Sequence, residues 1–127
     1  MYLRICDFLF YVQMLVSDSQ TISLEATMQG VTSFRCNTIV GRISYLEEEE
    51  KRYGLTFGFR PHQFDWMLSC IKKTLSIPNL DSNWICRRDE MLKDKIDVTA
   101  FWVWFIENYP QSIKKVRGKG FDFIEFK

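Results

Sequence analysis

The hydrophobic residues of this chain change their spacing at Pro61, and that change constrains the fold more than any other sequence feature. Before Pro61, residues 55–59 alternate between large apolar and small side chains, which is the period of a half-buried strand. After it, apolar residues recur at the period of an amphipathic helix, at Phe64, Met67, Leu68, Ile71 and Leu75. The sequence therefore predicts strands first and helices second.

The first half of the chain carries further apolar segments. Residues 5–16 fit a buried helix and a buried strand equally, because periodicity does not separate the two in a short apolar run. Residues 21–27 alternate with period two, which predicts a half-buried strand. Residues 34–46 are rich in strand-forming side chains. Together with the strand before Pro61 they predict a β-hairpin over residues 34–60, with a charged tip.

The second half reads as helices followed by one more strand. Residues 84–92 suit a short helix, and Asp97 suits the N-cap of the next one. The helix over 98–109 is apolar nearly all round, so we expect it to be central and buried. Phenylalanines in residues 121–126 predict a last strand at the sheet edge.

This order of segments predicts the fold class. Strands followed by helices favour an α+β fold with an antiparallel sheet of three to five strands and helices packed mainly on one face. No repeat, low-complexity run or Pro/Gly/Ser linker interrupts the sequence. We therefore expect a single domain over residues 1–127.

The cysteines bear on compartment and metal binding. Cys6, Cys36, Cys70 and Cys86 are widely spaced, and no pair has the short spacing of a metal site. The opening residues carry no basic region followed by a small-residue cleavage site, and the apolar stretch 8–16 is too short to span a bilayer. We therefore expect a cytoplasmic protein with free thiols, no metal and no membrane partner.

Catalytic constellations are weakly represented. His62 is the single histidine, and the sequence names no partner that would make it a general base. The glycines at 54, 58, 118 and 120 form no phosphate-binding fingerprint. We expect no catalytic residue, no cofactor and no enzymatic activity, with a small enzyme centred on His62 or a cysteine as an open alternative.

The acidic run Glu47, Glu48, Glu49 and Glu50 is the candidate partner-binding site. On a strand, successive carboxylates would point to opposite faces and would not converge on a metal. At the tip of a hairpin they would instead form a solvated acidic prong. Such a prong would speed encounter with a positively charged partner and help to select it.

The basic residues support an alternative. Residues 1–50 carry 3 basic and 7 acidic side chains, whereas residues 51–127 carry 14 basic and 9 acidic ones. Basic residues cluster at Lys72–Lys73, Arg87–Arg88 and 114–119, close to aromatic residues. This distribution leaves open a nucleic-acid-binding accessory protein, for example one encoded by a phage.

The C-terminal region resembles small bacterial immunity proteins of polymorphic toxin systems. The resemblance rests on Trp104-Phe105-Ile106-Glu107-Asn108-Tyr109-Pro110, on Lys114-Lys115 and on the Phe-rich end. It implies a non-enzymatic protein that neutralises one toxin domain by forming a tight complex. Together with the aromatic content and the acidic run, it makes an immunity or inhibitor protein the predicted function, with a protein partner.

Overall fold

The computed structural model describes residues 5–127, apart from the side chain of Cys6. Residues 1–4 and the predicted thiol of Cys6 therefore lie outside the described residues. Contacts between residues divide the chain into two compact units, residues 1–90 and residues 91–127. The expectation of one domain over residues 1–127 stays a prediction.

The first unit is built from short strands that alternate with helices. Its elements are α1 (Ile5–Leu9), β1 (Met14–Ser17), α2 (Gln20–Met28), β2 (Thr32–Cys36), α3 (Ser44–Glu48), a π-helical turn (Glu49–Tyr53), β3 (Thr56–Phe59), a 3-10 turn (Pro61–Gln63) and α4 (Phe64–Leu75). Helix α5 (Leu80–Asp94) begins in this unit. The strand over 56–59 and the helix over 64–75 confirm the change of period at Pro61.

The strands of the described residues form one parallel sheet in the order β1-β2-β3. The predicted antiparallel sheet and the hairpin over residues 34–60 are therefore wrong. The physical reason is that a helix separates each pair of neighbouring strands: α2 lies between β1 and β2, and α3 with its π-helical turn lies between β2 and β3. Each helical crossover brings the chain back to start the next strand in the same direction.

Helix α2 replaces the strand predicted for residues 21–27. The Ser19 hydroxyl accepts a hydrogen bond from the Ile22 amide and caps the helix, as serine does at such positions. Ser23, Ala26 and Thr27 are buried, and their spacing of three and four residues is helical. The period-two pattern was too short to distinguish the two structures.

The sheet is covered on both faces, which corrects the expectation of helices mainly on one face. Phe34 of β2 packs with Met67 of α4. Leu15 of β1 packs with Ala26 of α2 on the opposite face, because Leu15 pairs with Ser33 and neighbouring strand residues point to opposite sides. A parallel sheet needs cover on both faces, and these two helices supply it.

The second unit contains α6 (Val98–Glu107), α7 (Gln111–Arg117) and a 3-10 turn (Phe123–Phe126), after the end of α5. The Ala100 amide donates to the Asp97 carboxylate over 2.9 Å, which confirms the predicted N-cap. The predicted last strand is wrong, because residues 123–126 form the 3-10 turn.

Aromatic contacts hold the second unit together. The Phe101 ring lies 5.4 Å from both the Phe123 and the Phe126 rings, and 5.9 Å from the Phe105 ring. The prediction that α6 is buried is wrong, because none of the described side chains of this helix is buried and Ile106 is 69% exposed. Apolar residues of α6 contact the aromatic cluster, while others, such as Ile106, remain exposed.

Candidate functional site

The carboxyl ends of the three parallel strands meet at one edge of the sheet. We call this the carboxyl edge and define it as Ser17–Asp18, Cys36–Asn37 and Phe59–Arg60, the last residue of each strand and the residue after it. Asn37 ties all three strand ends together: its backbone amide donates to the Phe59 carbonyl over 3.1 Å, and its Nδ2 donates to the Asp18 carbonyl over 2.9 Å. The edge is therefore an ordered structure.

Helix α2 begins at this edge, and serines organise its first turn. The Ser19 amide donates to the Ser17 hydroxyl over 2.9 Å, and the Ile22 amide donates to the Ser19 hydroxyl over 3.4 Å. Between them, the amides of Gln20 and Thr21 have no carbonyl within the helix to which they can donate. The helix dipole adds partial positive charge at the same place.

A buried arginine lies on the same sheet face as Ser17. The Arg35 side chain is 1% exposed, and it donates to Gln20 Oε1 over 3.1 Å, to Glu50 Oε2 over 3.1 Å and to Thr56 Oγ1 over 3.2 Å. We call these four residues the Arg35 network. It joins α2, the two strands β2 and β3, and the π-helical turn, and each of the three guanidinium nitrogens donates to a different element.

The charges of the network are perturbed by burial. Burial lowers the pKa of Arg35, and the attraction of Glu50 opposes that change. Burial also raises the pKa of Glu50, against the opposing effects of Arg35 and of the Gly58 amide, which donates to Glu50 over 3.0 Å. A Cβ at position 58 would lie 3.2 Å from the Glu50 carboxylate and 2.8 Å from Val40 Cγ1. Glycine at this position therefore lets the carboxylate approach the backbone of β3.

The predicted acidic site takes a different form in the structure. Glu47 and Glu48 lie on α3, where they pair with Lys51 over 2.9 Å and Arg52 over 3.5 Å. The hydrogen bond to Glu47 raises the pKa of Lys51.

Glu49 is 6% exposed and accepts from the Thr27 hydroxyl over 2.9 Å, whereas Glu50 belongs to the Arg35 network. The four carboxylates therefore do not form the tip of a hairpin, because a helix and a π-helical turn carry them. Their role in partner binding stays a prediction.

The other predicted candidates take no part in the Arg35 network, although Cys36 lies at the carboxyl edge. His62 is exposed in the 3-10 turn that follows β3. Cys36, Cys70 and Cys86 are free thiols. Within residues 5–127, no group of three histidine, cysteine, aspartate or glutamate side chains is placed to hold a metal ion.

The basic clusters of the second half lie on or beside different helices. Arg87 donates to the Gly54 carbonyl over 2.7 Å and lies over the Trp84 ring, and Arg88 pairs with Asp89 over 2.7 Å. Lys72 and Lys73 lie on α4 of the first unit, whereas the run at 114–119 lies in the second unit. These positions give no specific support to the nucleic-acid alternative.

A separate cavity of about 370 Å³ lies between the apolar sheet face and α4. We call it the α4 cavity. Its walls include Phe34, Phe57, Phe59 and Trp66, together with Cys70, Lys73 and Thr74 of α4, and Glu50 borders it beside Gly58.

The comparisons with known proteins identify no relative. The sequence matches no protein-family model, and it matches neither a curated protein nor a solved structure. No helix in the described part of the chain is long and apolar enough to cross a membrane. The evidence for each candidate site is therefore its geometry alone.

Sequence reasoning missed Arg35, Gln20 and Asn37. One signal was present: Arg35 interrupts a run of strand-forming residues, between Phe34 and Cys36. A charged residue inside a buried strand requires a partner, because burying an unpaired charge is costly. That signal indicates that a hydrogen-bond acceptor must be present, but it does not identify the residue.

Proposed function

We propose that this chain is a binding protein that takes a small, oxyanion-bearing molecule at the carboxyl edge of its sheet. The observation that carries the proposal is the position of Asn37, which joins the ends of all three described strands beside the first turn of α2. Ligands of open parallel α/β sheets bind outside the carboxyl ends of the strands, at a point where the strand order reverses. The order β1-β2-β3 of the described strands has no such reversal. Because a fold hosts many functions, the groups at the edge must support the proposal as well.

Those groups are mainly hydrogen-bond donors. The amides of Gln20 and Thr21 face the N-terminal end of α2, where helices bind phosphate and carboxylate groups. The side-chain nitrogen of Gln20 is buried and, within the described residues, has no hydrogen-bond partner. Arg60 follows β3 and adds an exposed positive charge. An oxyanion would accept from the two backbone amides and pair with Arg60, and the exposed Asp18 carboxylate would accept from a hydroxyl group of the same ligand.

A proline substitution tests the proposal, because it removes one amide proton without requiring a new backbone shape. Ser19 has φ −80° and ψ 127°, the extended conformation that a following proline favours. Proline is also well tolerated as the first residue of a helix. Gln20→Pro therefore removes the Gln20 amide proton and the side chain, whereas Gln20→Ala removes the side chain alone.

The readout is the binding of inorganic pyrophosphate, followed by NMR through the Thr21 amide. We expect Gln20→Pro to bind about tenfold more weakly than Gln20→Ala, since a hydrogen bond to a charged group contributes about 1.5 kcal/mol or more. Equal affinities would show that the Gln20 amide does not contribute to pyrophosphate binding. Pyrophosphate-dependent shifts that are confined to residues away from the carboxyl edge would overturn the proposal.

Exposed aromatic side chains favour a second candidate, the toxin-neutralising immunity or inhibitor protein predicted from the sequence. Tyr11 is 82% exposed, Phe10 72% and Trp66 60%. Large exposed aromatics are the residues that anchor protein interfaces. Under this candidate the protein acts without catalysis, and both candidates place it in the cytoplasm.

The test for the second candidate asks whether Glu47 and Glu48 speed association with the partner, and it leaves the carboxylates that stabilise the fold unchanged. Glu47→Gln with Glu48→Gln alters the two carboxylates that are paired on the helix surface, and leaves Glu49 and Glu50 in place. With the partner recovered from native lysate, we expect slower association and a weaker salt dependence. Unchanged association would remove the acidic residues from the interface, and Tyr11→Ser would then test the aromatic contacts alone.

A further inference from the structure

The α4 cavity has the size and the walls of a small-molecule site. Its volume of about 370 Å³ falls in the range of ligand pockets in proteins. Four aromatic rings border it: the Phe34 and Phe57 rings lie 5.2 Å apart, and the Phe59 and Trp66 rings meet edge to face at 5.2 Å. Aromatic rings prefer such offset and edge-to-face contacts, so these walls suit a flat aromatic ligand.

The charged residues that line the cavity determine whether an anionic or a cationic ligand is favoured. The Glu50 carboxylate borders it, but Arg35 at 3.1 Å and the Gly58 amide at 3.0 Å already neutralise that carboxylate. Lys73 of α4 lines the same space and is an exposed residue. The remaining charge at the wall is therefore positive, which disfavours a cationic ligand and favours an anionic one.

A second donor lies next to Lys73. Thr74 lines the cavity and is 9% exposed. The backbone carbonyls at this end of α4 are occupied, because the Ser76 amide donates to the Lys73 carbonyl over 3.2 Å and the Ile77 amide donates to the Thr74 carbonyl over 3.0 Å. An incoming anion would therefore meet the ammonium and hydroxyl groups rather than free carbonyl oxygens.

We propose that the α4 cavity binds a small aromatic carboxylate. The ring lies among Phe57, Phe59 and Trp66, and the carboxylate accepts from Lys73 and Thr74. This site shares Phe59 with the carboxyl edge but does not include the first turn of α2. The inference goes beyond the proposed function because it does not depend on an oxyanion at α2.

Calorimetry with two probes of matched shape tests the charge selection. Indole-3-acetate carries a carboxylate, whereas 3-methylindole is neutral. We expect the wild-type protein to bind indole-3-acetate about tenfold more tightly, which is the effect of one charge-assisted hydrogen bond. Lys73→Gln should remove most of this preference, because Thr74 remains as a donor, and it should retain the binding of 3-methylindole. Lys72→Gln is the matched control, since it removes the neighbouring exposed lysine, and it should leave both affinities unchanged.

Amide shifts locate the probe. Binding in the α4 cavity predicts indole-3-acetate-dependent shifts at Cys70 and Thr74. Shifts confined to Gln20 and Thr21 would place the probe at the carboxyl edge and overturn this inference without affecting the proposed function. Failure of both probes to bind, equal affinity for the two, or a preference that Lys73→Gln leaves undiminished would each overturn it as well.

Discussion

Arg35 and Glu50 form an ion pair at 3.1 Å in which the arginine side chain is almost fully buried and the glutamate side chain is 26% exposed. The arginine comes from the central strand, and the glutamate comes from the π-helical turn that leads to β3. The pair therefore fixes a crossover connection to the sheet.

Arg35→Met should destabilise the protein strongly. It removes the donor to Gln20, Glu50 and Thr56, and breaking a buried pair from one side costs about 3 kcal/mol. Urea denaturation measures the free energy of unfolding. Arg52→Met is the control, because that arginine is exposed and its pair with Glu48 contributes roughly 0.5 kcal/mol or less. Similar losses for the two variants would show that the Arg35 network contributes little.

The stability of the protein should depend on the titration of Glu50. Burial raises the pKa of Glu50, so the folded state holds this proton to a higher pH than the unfolded state does. Between the ordinary pKa and the raised pKa the folded state binds more protons, and the free energy of unfolding falls as the pH rises through that window.

Glu50→Gln removes this dependence. We expect the free energy of unfolding of the variant to change less with pH across this window than that of the wild-type protein, because glutamine has no proton to lose. Urea denaturation at a series of pH values gives both curves. Parallel curves would mean that Glu50 ionises equally easily in the folded and unfolded states.

Gly58→Ala should destabilise the fold by overpacking. The new Cβ would lie 2.8 Å from Val40 Cγ1, 3.1 Å from Arg35 Nη2 and 3.2 Å from Glu50 Oε2. Overpacking of this kind costs about 1–3 kcal/mol. Thermal denaturation detects the loss. Adding Val40→Ala removes the closest contact, so the double variant should lose less stability than the sum of the two single variants. Strict additivity would contradict the steric explanation.

Trp84→Phe should cost about 2 kcal/mol, because the Trp84 indole donates to the Leu55 carbonyl over 2.9 Å and phenylalanine leaves that buried carbonyl without its donor. Trp84 is 2% exposed. Trp66→Phe is the matched control, since Trp66 is 60% exposed and should cost much less. Denaturation followed by far-UV circular dichroism compares the two. An equal loss in both variants would count against the indole hydrogen bond as the cause.

Sequence reasoning succeeds where a pattern is long or has a clear boundary. Helix α4 follows Pro61 and repeats its apolar residues over three turns, so its position is predicted correctly. The predicted strand over residues 21–27 fails because seven alternating residues also fit a helix with Ser19 as its cap. The wrong prediction of strand direction follows from that error. Without α2 as a helical crossover, neighbouring strands are expected to form an antiparallel hairpin.

The candidate site depends on contacts that no local pattern contains. Gln20 and Glu50 each lie 15 residues from Arg35 along the chain, in opposite directions. Only the parallel sheet and its two crossovers bring them together. The acidic run shows the same limit, because helical geometry places Glu49 and Glu50 against Thr27 and Arg35 and leaves Glu47 and Glu48 paired with Lys51 and Arg52.

The alternation of Ser33, Phe34 and Arg35 along β2 also protects the assembly of the sheet. Phe34 belongs to the apolar cluster with Phe59 and Met67, whereas Arg35 points to the opposite face. A slip of β2 by one residue would exchange these two environments. A guanidinium would then lie among aromatic rings without an acceptor, at a cost of several kcal/mol. The sequence of the central strand therefore selects its own register, since a misaligned sheet is penalised as its faces become buried.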